Sequence, residues 1–557
     1  MLRIAPAIVP VLLAVLLLGA PAPAKAADVD EFPAGYEAYH TYSEVVEVLD
    51  QTVQRYPHIA RKFSLGKSYE GREIWALKIS DNVAQDEDEP EILSVGLIHA
   101  REHITTEMNV YLIRLLTEGY GNSPRITEIV NSREIFIVPV ANPDGGEWDI
   151  ASGAFRKWRK NRQPNPGTTA VGTDLNRNFG FKWGCCKGSS AKPSAIKYRG
   201  ASAWSAPETR RLRDFINSRV VNGQQQIKAV FNWHSYGELL MWPYGYTKTD
   251  VPKTMSADDH AALVALGRRM AQMNGYRPMQ GSDLYIYSGD FTAWTYGRHR
   301  IVSFTFEMYP PHGAKAGGFY PNPSVIERET ERNRTAVLYL IEQADCPHRA
   351  AGLGATHCGP LNDDFETSRG WRVDPFGTDT ATSGAWARAI PQKTSTPAGV
   401  KQRAAVPSGQ RALVTGPRAG RSAGAHDVDG GRTSVLSPAV RLTGSASWTL
   451  RFRYYLAHGA NSSSDDYLRV RVGAPGDWRT VFIARGRAAE RNAHWRTATV
   501  DLSDFAGQTV QLLIEAADNA GPSLVEAAVD DVRVYRTPGT AAVGGTEISR
   551  LAGVGLL

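Results

Sequence analysis

Cysteine is scarce. The 557 residues hold four, too few for a fold held together by disulfides. Charge of one sign is lacking as well. Lys+Arg number 63 and Asp+Glu 57, so the net +6 is thin over this length, and no basic run marks a nucleic-acid partner. Long apolar runs are missing apart from Ile8–Leu18, which is short for a membrane span and has Pro6, Pro10 and Pro21 in or around it. With Arg3 before it and the small-x-small Ala24-Lys25-Ala26 after it, the segment reads as a signal peptide over residues 1–26. A secreted chain with no membrane partner is expected, and a monomer. What is present is balanced: 42% hydrophobic and 22% charged residues exclude wholesale disorder.

Lysine, too, runs out. After residue 360 only Lys393 and Lys401 remain, while Arg, Gly, Ala and Ser rise. The Gly/Ala-rich stretch 347–360, bracketed by Cys346 and Cys358, is therefore expected to be a linker between a first unit at 32–346 and a second at 361–537, with a loose tail at 538–557. In the first unit strand-like runs (Ile92–Ile98, Glu134–Val140, Ile227–Trp233, Ile301–Phe306) alternate with helical stretches (Glu44–Tyr56, His103–Tyr120, Pro207–Val221, Ala257–Asn274, Ser324–Ala344). That alternation predicts an α/β domain around a mostly parallel or mixed sheet. The second unit has short alternating segments, from Trp448–Tyr454 to Ala528–Val534, parted by Gly, Asp and Asn. They predict an all-β sandwich of jelly-roll type.

The sharpest local signal is His99-Ala100-Arg101-Glu102-His103. As H-x-x-E-H on a helix, it would offer His99 and His103 as metal ligands and Glu102 as base. As H-x-x-E at a strand end, it offers His99 and Glu102. The buried run just before His99 favours the second reading, because ligands in open α/β sheets gather at the carboxyl ends of strands. Zinc needs a third protein ligand and one open position. His234, after the apolar run Ile227–Trp233, is the candidate.

These residues and further separated motifs resemble the funnel-shaped zinc metallocarboxypeptidases of the A, B and T type, the secreted bacterial T type most nearly. The motifs are Asn142-Pro143-Asp144-Gly145, Trp158-Arg159-Lys160, Asp174-Leu175-Asn176-Arg177-Asn178, His234-Ser235-Tyr236, Tyr285-Ile286-Tyr287-Ser288-Gly289-Asp290 and Phe304-Thr305-Phe306-Glu307. The resemblance covers about Phe32–Cys358. It implies a zinc-dependent exopeptidase that removes single amino acids from peptide and protein C-termini. It also implies zinc on His99, Glu102 and His234, Glu307 as general base toward a zinc-activated water, and Arg159 as oxyanion stabiliser. Asn176 and Arg177 would grip the substrate's free carboxylate, with Tyr285 closing over it. A pocket with Met241, Gly245, Leu284, Tyr287, Asp290, Thr292 and Thr305 would receive the side chain. Thr292 is small and neutral where relatives carry the residue that decides specificity. Asp290 at the rim would admit basic side chains beside hydrophobic ones. The alternatives are a zinc amidase or deacylase of the same fold, which has no need of Arg159, Asn176 and Arg177 together, and an inactive binding module, which would be expected to lose Glu307 or a zinc ligand.

Many such enzymes carry a folded prosegment. Here few residues separate Ala27 from Tyr36, so none is expected. Four cysteines allow three pairings. Cys346–Cys358 is preferred, and Cys185-Cys186 is a vicinal pair. The acidic run Asp86-Glu87-Asp88-Glu89 is either a solvated loop or a structural calcium site, and the resemblance raises the second option. Asp363-Asp364-Phe365-Glu366 and Asp530-Asp531-Val532 pose the same choice in the β unit. Its Trp371, Trp448, Trp478 and Trp495 are either core or a carbohydrate-binding face, and the ligand of this accessory unit is unknown.

Overall fold

The computed structural model describes residues 31–537 except 222, 314–316, 421 and 520. The expected signal peptide and tail lie outside the described residues. Residues 42–344 form an eight-stranded mixed sheet with helices on both faces. Its strands are β1 (Ala60–Lys67), β2 (Glu73–Ile79), β3 (Glu91–Val95), β4 (Glu134–Val138), β5 (Ile227–Ser235), β6 (Leu239–Trp242), β7 (Arg277–Gln280) and β8 (Val302–Met308). The order across the sheet is β1-β2-β4-β3-β5-β8-β6-β7. The central strands β4, β3, β5 and β8 are parallel. Parallel strands covered on both faces read as near-continuous apolar runs, and all of β3 and β4 is buried. Alternate residues feed two cores. Ile92, Ile135, Ile137 and Phe231 face one side, and Leu93, Phe136, Val138 and Val230 face the other.

Helix α1 (Tyr42–Arg55) starts at a capping box, with Glu44 N–H donating to Thr41 Oγ1 and Thr41 N–H donating back to the Glu44 carboxylate. Helix α2 (Ile104–Gly119) follows the H-x-x-E segment directly and is buried along most of its length. Two sequence expectations need correction. The helix expected over Pro207–Val221 stops at Ser218, because β-branched Val220 and Val221 pair with Gln224 and Gln225 in a small hairpin. The helix expected over Ser324–Ala344 is three pieces, Pro323–Val325, Ile326–Glu331 and Arg334–Gln343. At the second break the Asn333 side chain donates to the Glu329 carbonyl, a local bond that competes with the helix ladder.

Residues 361–536 form two antiparallel sheets around a separate core. One runs Trp386–Ala389, Ala412–Thr415, Val525–Arg536, Trp448–His458, Arg496–Asp501. The other runs Arg372–Val373, Gly431–Leu436, Thr509–Asp518, Tyr467–Ala474, Asp477–Arg485. Trp448 is core, and Trp371 and Trp495 pack against it or its satellite. The two disulfides are Cys185–Cys186 and Cys346–Cys358. No described helix is long and apolar enough to cross a membrane.

Candidate active site

Strand ends assemble the site. The chain leaves β3 at Val95 and reaches His99 and Glu102 before α2 begins. His234 lies near the end of the neighbouring β5, and the parallel register of β5 and β8 sets Glu307 beside it. His99, Glu102 and His234 are 3%, 2% and 1% exposed. His99 Nδ1 is 2.8 Å from Glu102 Oε1, His234 Nδ1 is 2.8 Å from Glu102 Oε2, and the two Nδ1 atoms are 3.0 Å apart. Two imidazole nitrogens facing each other across one carboxylate, buried together, are a donor set that fits zinc with a position left open. His103 is not part of this group. Its Nε2 faces Asp149 Oδ2 at 3.0 Å, which overturns the helical H-x-x-E-H alternative.

Asp174 is the member that sequence reasoning passed over, although it opens the quoted Asp174–Asn178 motif. It is fully buried, faces His99 Nε2 at 3.2 Å, accepts from Arg159 Nε at 3.0 Å and caps the short turn Leu175–Arg177 through Asn176 N–H. An Asp just before a turn is a capping signal, and that was the clue available. By holding Nε2 it fixes the His99 ring and leaves Nδ1 free for a metal. Burial opposes its charge, but Arg159 and His99 hold its carboxyl well below the usual range. Burial likewise opposes the charge of Glu102, and His99 and His234 hold that carboxyl low. Burial, with the Arg159 charge, depresses His99, which favours the neutral ring that a metal ligand needs. Glu307 goes the other way. Burial pushes it up to about 7, helped by Glu102 and opposed by His234 and Arg159.

Arg159, which the resemblance casts as oxyanion stabiliser, is largely buried, with Nη1 3.9 Å from Glu102. Asn176 accepts from Phe291 N–H at 2.9 Å, and its Nδ2 lies 3.2 Å from His234 Nε2. Arg177 donates from Nη2 to the Tyr285 hydroxyl at 2.7 Å. His99, Glu102, Arg159, Asn176, Arg177, Tyr285 and Glu307 line one cleft of about 450 Å³, together with Met241, Leu284, Tyr287 and Thr305. Asp290 is not at a hydrated rim. It is 2% exposed and caps the helix Phe291–His299. Its Oδ2 accepts from Thr292 Oγ1 at 3.0 Å, and Thr292 stands 3.5 Å from Thr305, behind the cleft wall. Asp290 Oδ1 is buried with no hydrogen-bond partner, and burial raises its pKa.

The acidic run divides. Glu87 and Glu89 join Asp81, each offering a carboxylate oxygen within 4.8 Å of the others. Asp81 Oδ1, Glu87 Oε2 and Glu89 Oε2 are buried without a hydrogen-bond partner. Asp86 instead pairs with Arg219, and Asp88 is exposed. In the β unit the two acidic runs meet where Leu361–Asp363 pairs with Val532–Val534, but their carboxylates already accept bonds from Phe365, Trp371 and Ser408.

The profile of the family Peptidase_M14, zinc carboxypeptidase, matches residues 45–336. The chain is 50% identical over 322 residues to a zinc carboxypeptidase of Saccharothrix mutabilis subsp. capreolus, covering 58% of this chain and 73% of that protein. It is 34% identical over 324 residues to carboxypeptidase A1 of Rattus norvegicus, 57% of this chain and 73% of that one. The crystal structure of thrombin activatable fibrinolysis inhibitor (TAFI) superposes with a TM-score of 0.50 at 28% identity, over 55% of this chain and 74% of that one.

Proposed function

The chain belongs to the zinc carboxypeptidase family and is a metallocarboxypeptidase, a zinc-dependent exopeptidase acting on peptide C-termini; from that premise we propose how its own residues divide the work. His99, Glu102 and His234 hold the zinc, and Asp174 orients His99. A bound zinc supplies a Lewis acid that polarises the scissile carbonyl and makes water more acidic. Glu307, with its raised carboxyl, takes a proton from the attacking water and returns one to the leaving amine. Arg159 donates to the oxygen on which negative charge develops. Asn176, Arg177 and Tyr285 receive the free carboxylate, for which a planar guanidinium is the matched partner.

The observation that carries this reading is the meeting of the two-His, one-Glu cluster with Arg159, Asn176, Arg177 and Tyr285 in one cleft. An amidase has no use for the second group. We test it on a mixed peptide library with and without a zinc chelator. One-at-a-time, metal-dependent release is expected, and equal cleavage of C-terminally amidated peptides would remove Arg177 from its role.

For specificity, the buried, unpartnered Asp290 Oδ1 supports a pocket that takes hydrophobic side chains while Asp290 is neutral, and Lys or Arg when it is ionised. The cluster Asp81, Glu87 and Glu89 is a structural Ca²⁺ site on this reading, since hard cations take converging carboxylates. The chain is read as a secreted monomer with a catalytic domain over 32–346 and a jelly-roll-type accessory module over 361–537 that binds or stabilises.

A further inference from the structure

We propose that the loop closed by the vicinal disulfide Cys185–Cys186 is a positioning element for the carboxylate grip, setting the plane of Arg177 and the seat of Tyr285. The inference rests on the reading of Arg177 as the residue that receives the substrate carboxylate.

Arg177 is 2% exposed and is held from three sides. Nη1 donates to the Asn176 carbonyl at 2.5 Å, Nη2 to the Tyr285 hydroxyl at 2.7 Å, and Nε to the Gly188 carbonyl at 3.3 Å. A guanidinium offers its donors in one plane, so fixing Nε and Nη1 fixes the direction in which the rest can meet a carboxylate. The Nε partner lies two residues beyond Cys186. Gly188 also packs on the segment that carries Tyr285. A Cβ at Gly188 would stand 1.9 Å from the Ile286 carbonyl oxygen and 2.6 Å from Tyr287 Cα, so no side chain fits there. From the other end of the disulfide, the Cys185 carbonyl accepts from Ser288 Oγ at 2.8 Å, and Ser288 is 1% exposed. The loop is thus a wedge bonded on one side to Arg177 and on the other to residues 286–288.

The wedge has an unusual backbone. Cys186, Lys187 and Gly188 all lie at positive φ, 65°, 71° and 74°. Only glycine adopts this region readily, so the two L-residues need something to hold them there. A disulfide stabilises a chain in proportion to the loop it closes in the unfolded state. Cys346–Cys358 spans 12 residues, whereas Cys185–Cys186 spans 1 and closes almost nothing. What a bond between neighbours does restrict is the local backbone, just where the chain turns to present the Gly188 carbonyl. The vicinal bond therefore acts on shape at the clamp, with little effect on global stability.

The test uses the full-length zinc enzyme and one peptide made with a free and with an amidated C-terminus. Cys185→Ser/Cys186→Ser should raise KM for the free acid about tenfold while kcat stays within about twofold, as loss of one charge-assisted contact implies. Its melting temperature should match the parent. Ser288→Ala, which keeps the disulfide, should raise KM about threefold with kcat and melting temperature unmoved. Unchanged KM in both variants overturns the proposal. So does a joint fall of kcat, affinity and melting temperature in both, which would make the loop merely structural. If the parent cleaves the amide as readily as the acid, the clamp reading itself fails, whatever the variants do.

Discussion

At the scale of single residues, the cleft keeps two carboxyls apart by environment. Glu102 is held ionised between two imidazoles, while Glu307, one strand away, is pushed up to about 7 by burial. One is suited to hold a cation and the other to carry a proton. Glu307→Gln keeps size and position, so it should retain zinc yet lose turnover by about a thousandfold. Metal content and kcat measured on one preparation check both halves, and retained turnover would remove Glu307 from the reaction. Asp290 is a second raised carboxyl, lifted by burial. A raised carboxyl stays neutral to a higher pH than a free one, and a Lys or Arg side chain gains only from the ionised form. The ratio of kcat/KM for a C-terminal Lys substrate to that for a Phe substrate should therefore rise with pH, and Asp290→Asn should flatten that rise. A ratio that climbs as steeply in Asp290→Asn would place the titrating group elsewhere.

At the scale of elements, the loop 81–90 makes its own prediction. Three buried carboxylate oxygens without partners repel one another unless a cation or protons intervene. Calcium added to chelator-treated, zinc-reloaded protein should raise the melting temperature by several degrees, and Glu89→Gln should abolish most of that gain without changing kcat. A melting curve indifferent to calcium would leave the loop as plain acids. This loop also marks the limit of what the sequence disclosed. The run Asp86–Glu89 was visible, but the structure groups Glu87 and Glu89 with Asp81, because a loop brings together residues that no period in sequence relates. The central strands were legible, since burial on both faces demands unbroken apolar runs such as Ile92–Ile98. The strand-end position of His99 and His234 followed from those runs. Asp174 was not legible as a partner of His99, 75 residues away, because a capping Asp looks the same whether or not its other oxygen serves a histidine. The breaks in Ser324–Ala344 were hidden for a related reason, as the Asn333 side chain finds partners on another helix that only the tertiary fold supplies.

At the scale of the whole molecule, the two units meet through charged pairs. Arg300 reaches Glu366 at 3.1 Å and Arg533 reaches Asp258 at 3.3 Å. His357, on the loop closed by Cys346–Cys358, faces the same Asp258 at 3.0 Å as a hydrogen-bond partner and not as an ion pair, since burial pushes its pKa down to about 4. The β unit buries carboxyls of another kind. Burial raises Asp363 to about 6 and Asp427 to about 7, and lifts Glu526 and Asp530 well above the usual range. Asp427 is 1% exposed, with Asp429 and Asp518 nearby and one oxygen unpartnered. Each of these groups keeps its proton in the folded chain at a pH where the unfolded chain, near the ordinary 3.8 for an Asp, has released it. Stability rises with pH only where the unfolded state binds more protons. Here the folded state binds more, so this contribution is present at about pH 4 and is lost as the pH climbs through about 7, the reverse of ordinary acid denaturation. Asn is a fixed stand-in for the neutral acid and can still accept the Val525 N–H bond that Asp427 accepts at 3.0 Å. Asp427→Asn should therefore melt a few degrees above the parent at pH 8, and the gap should shrink as the pH falls and close by about pH 4. A gap of the same size at both pH values would show that Asp427 does not titrate in this window, and that its burial is borne by hydrogen bonding to the ionised form.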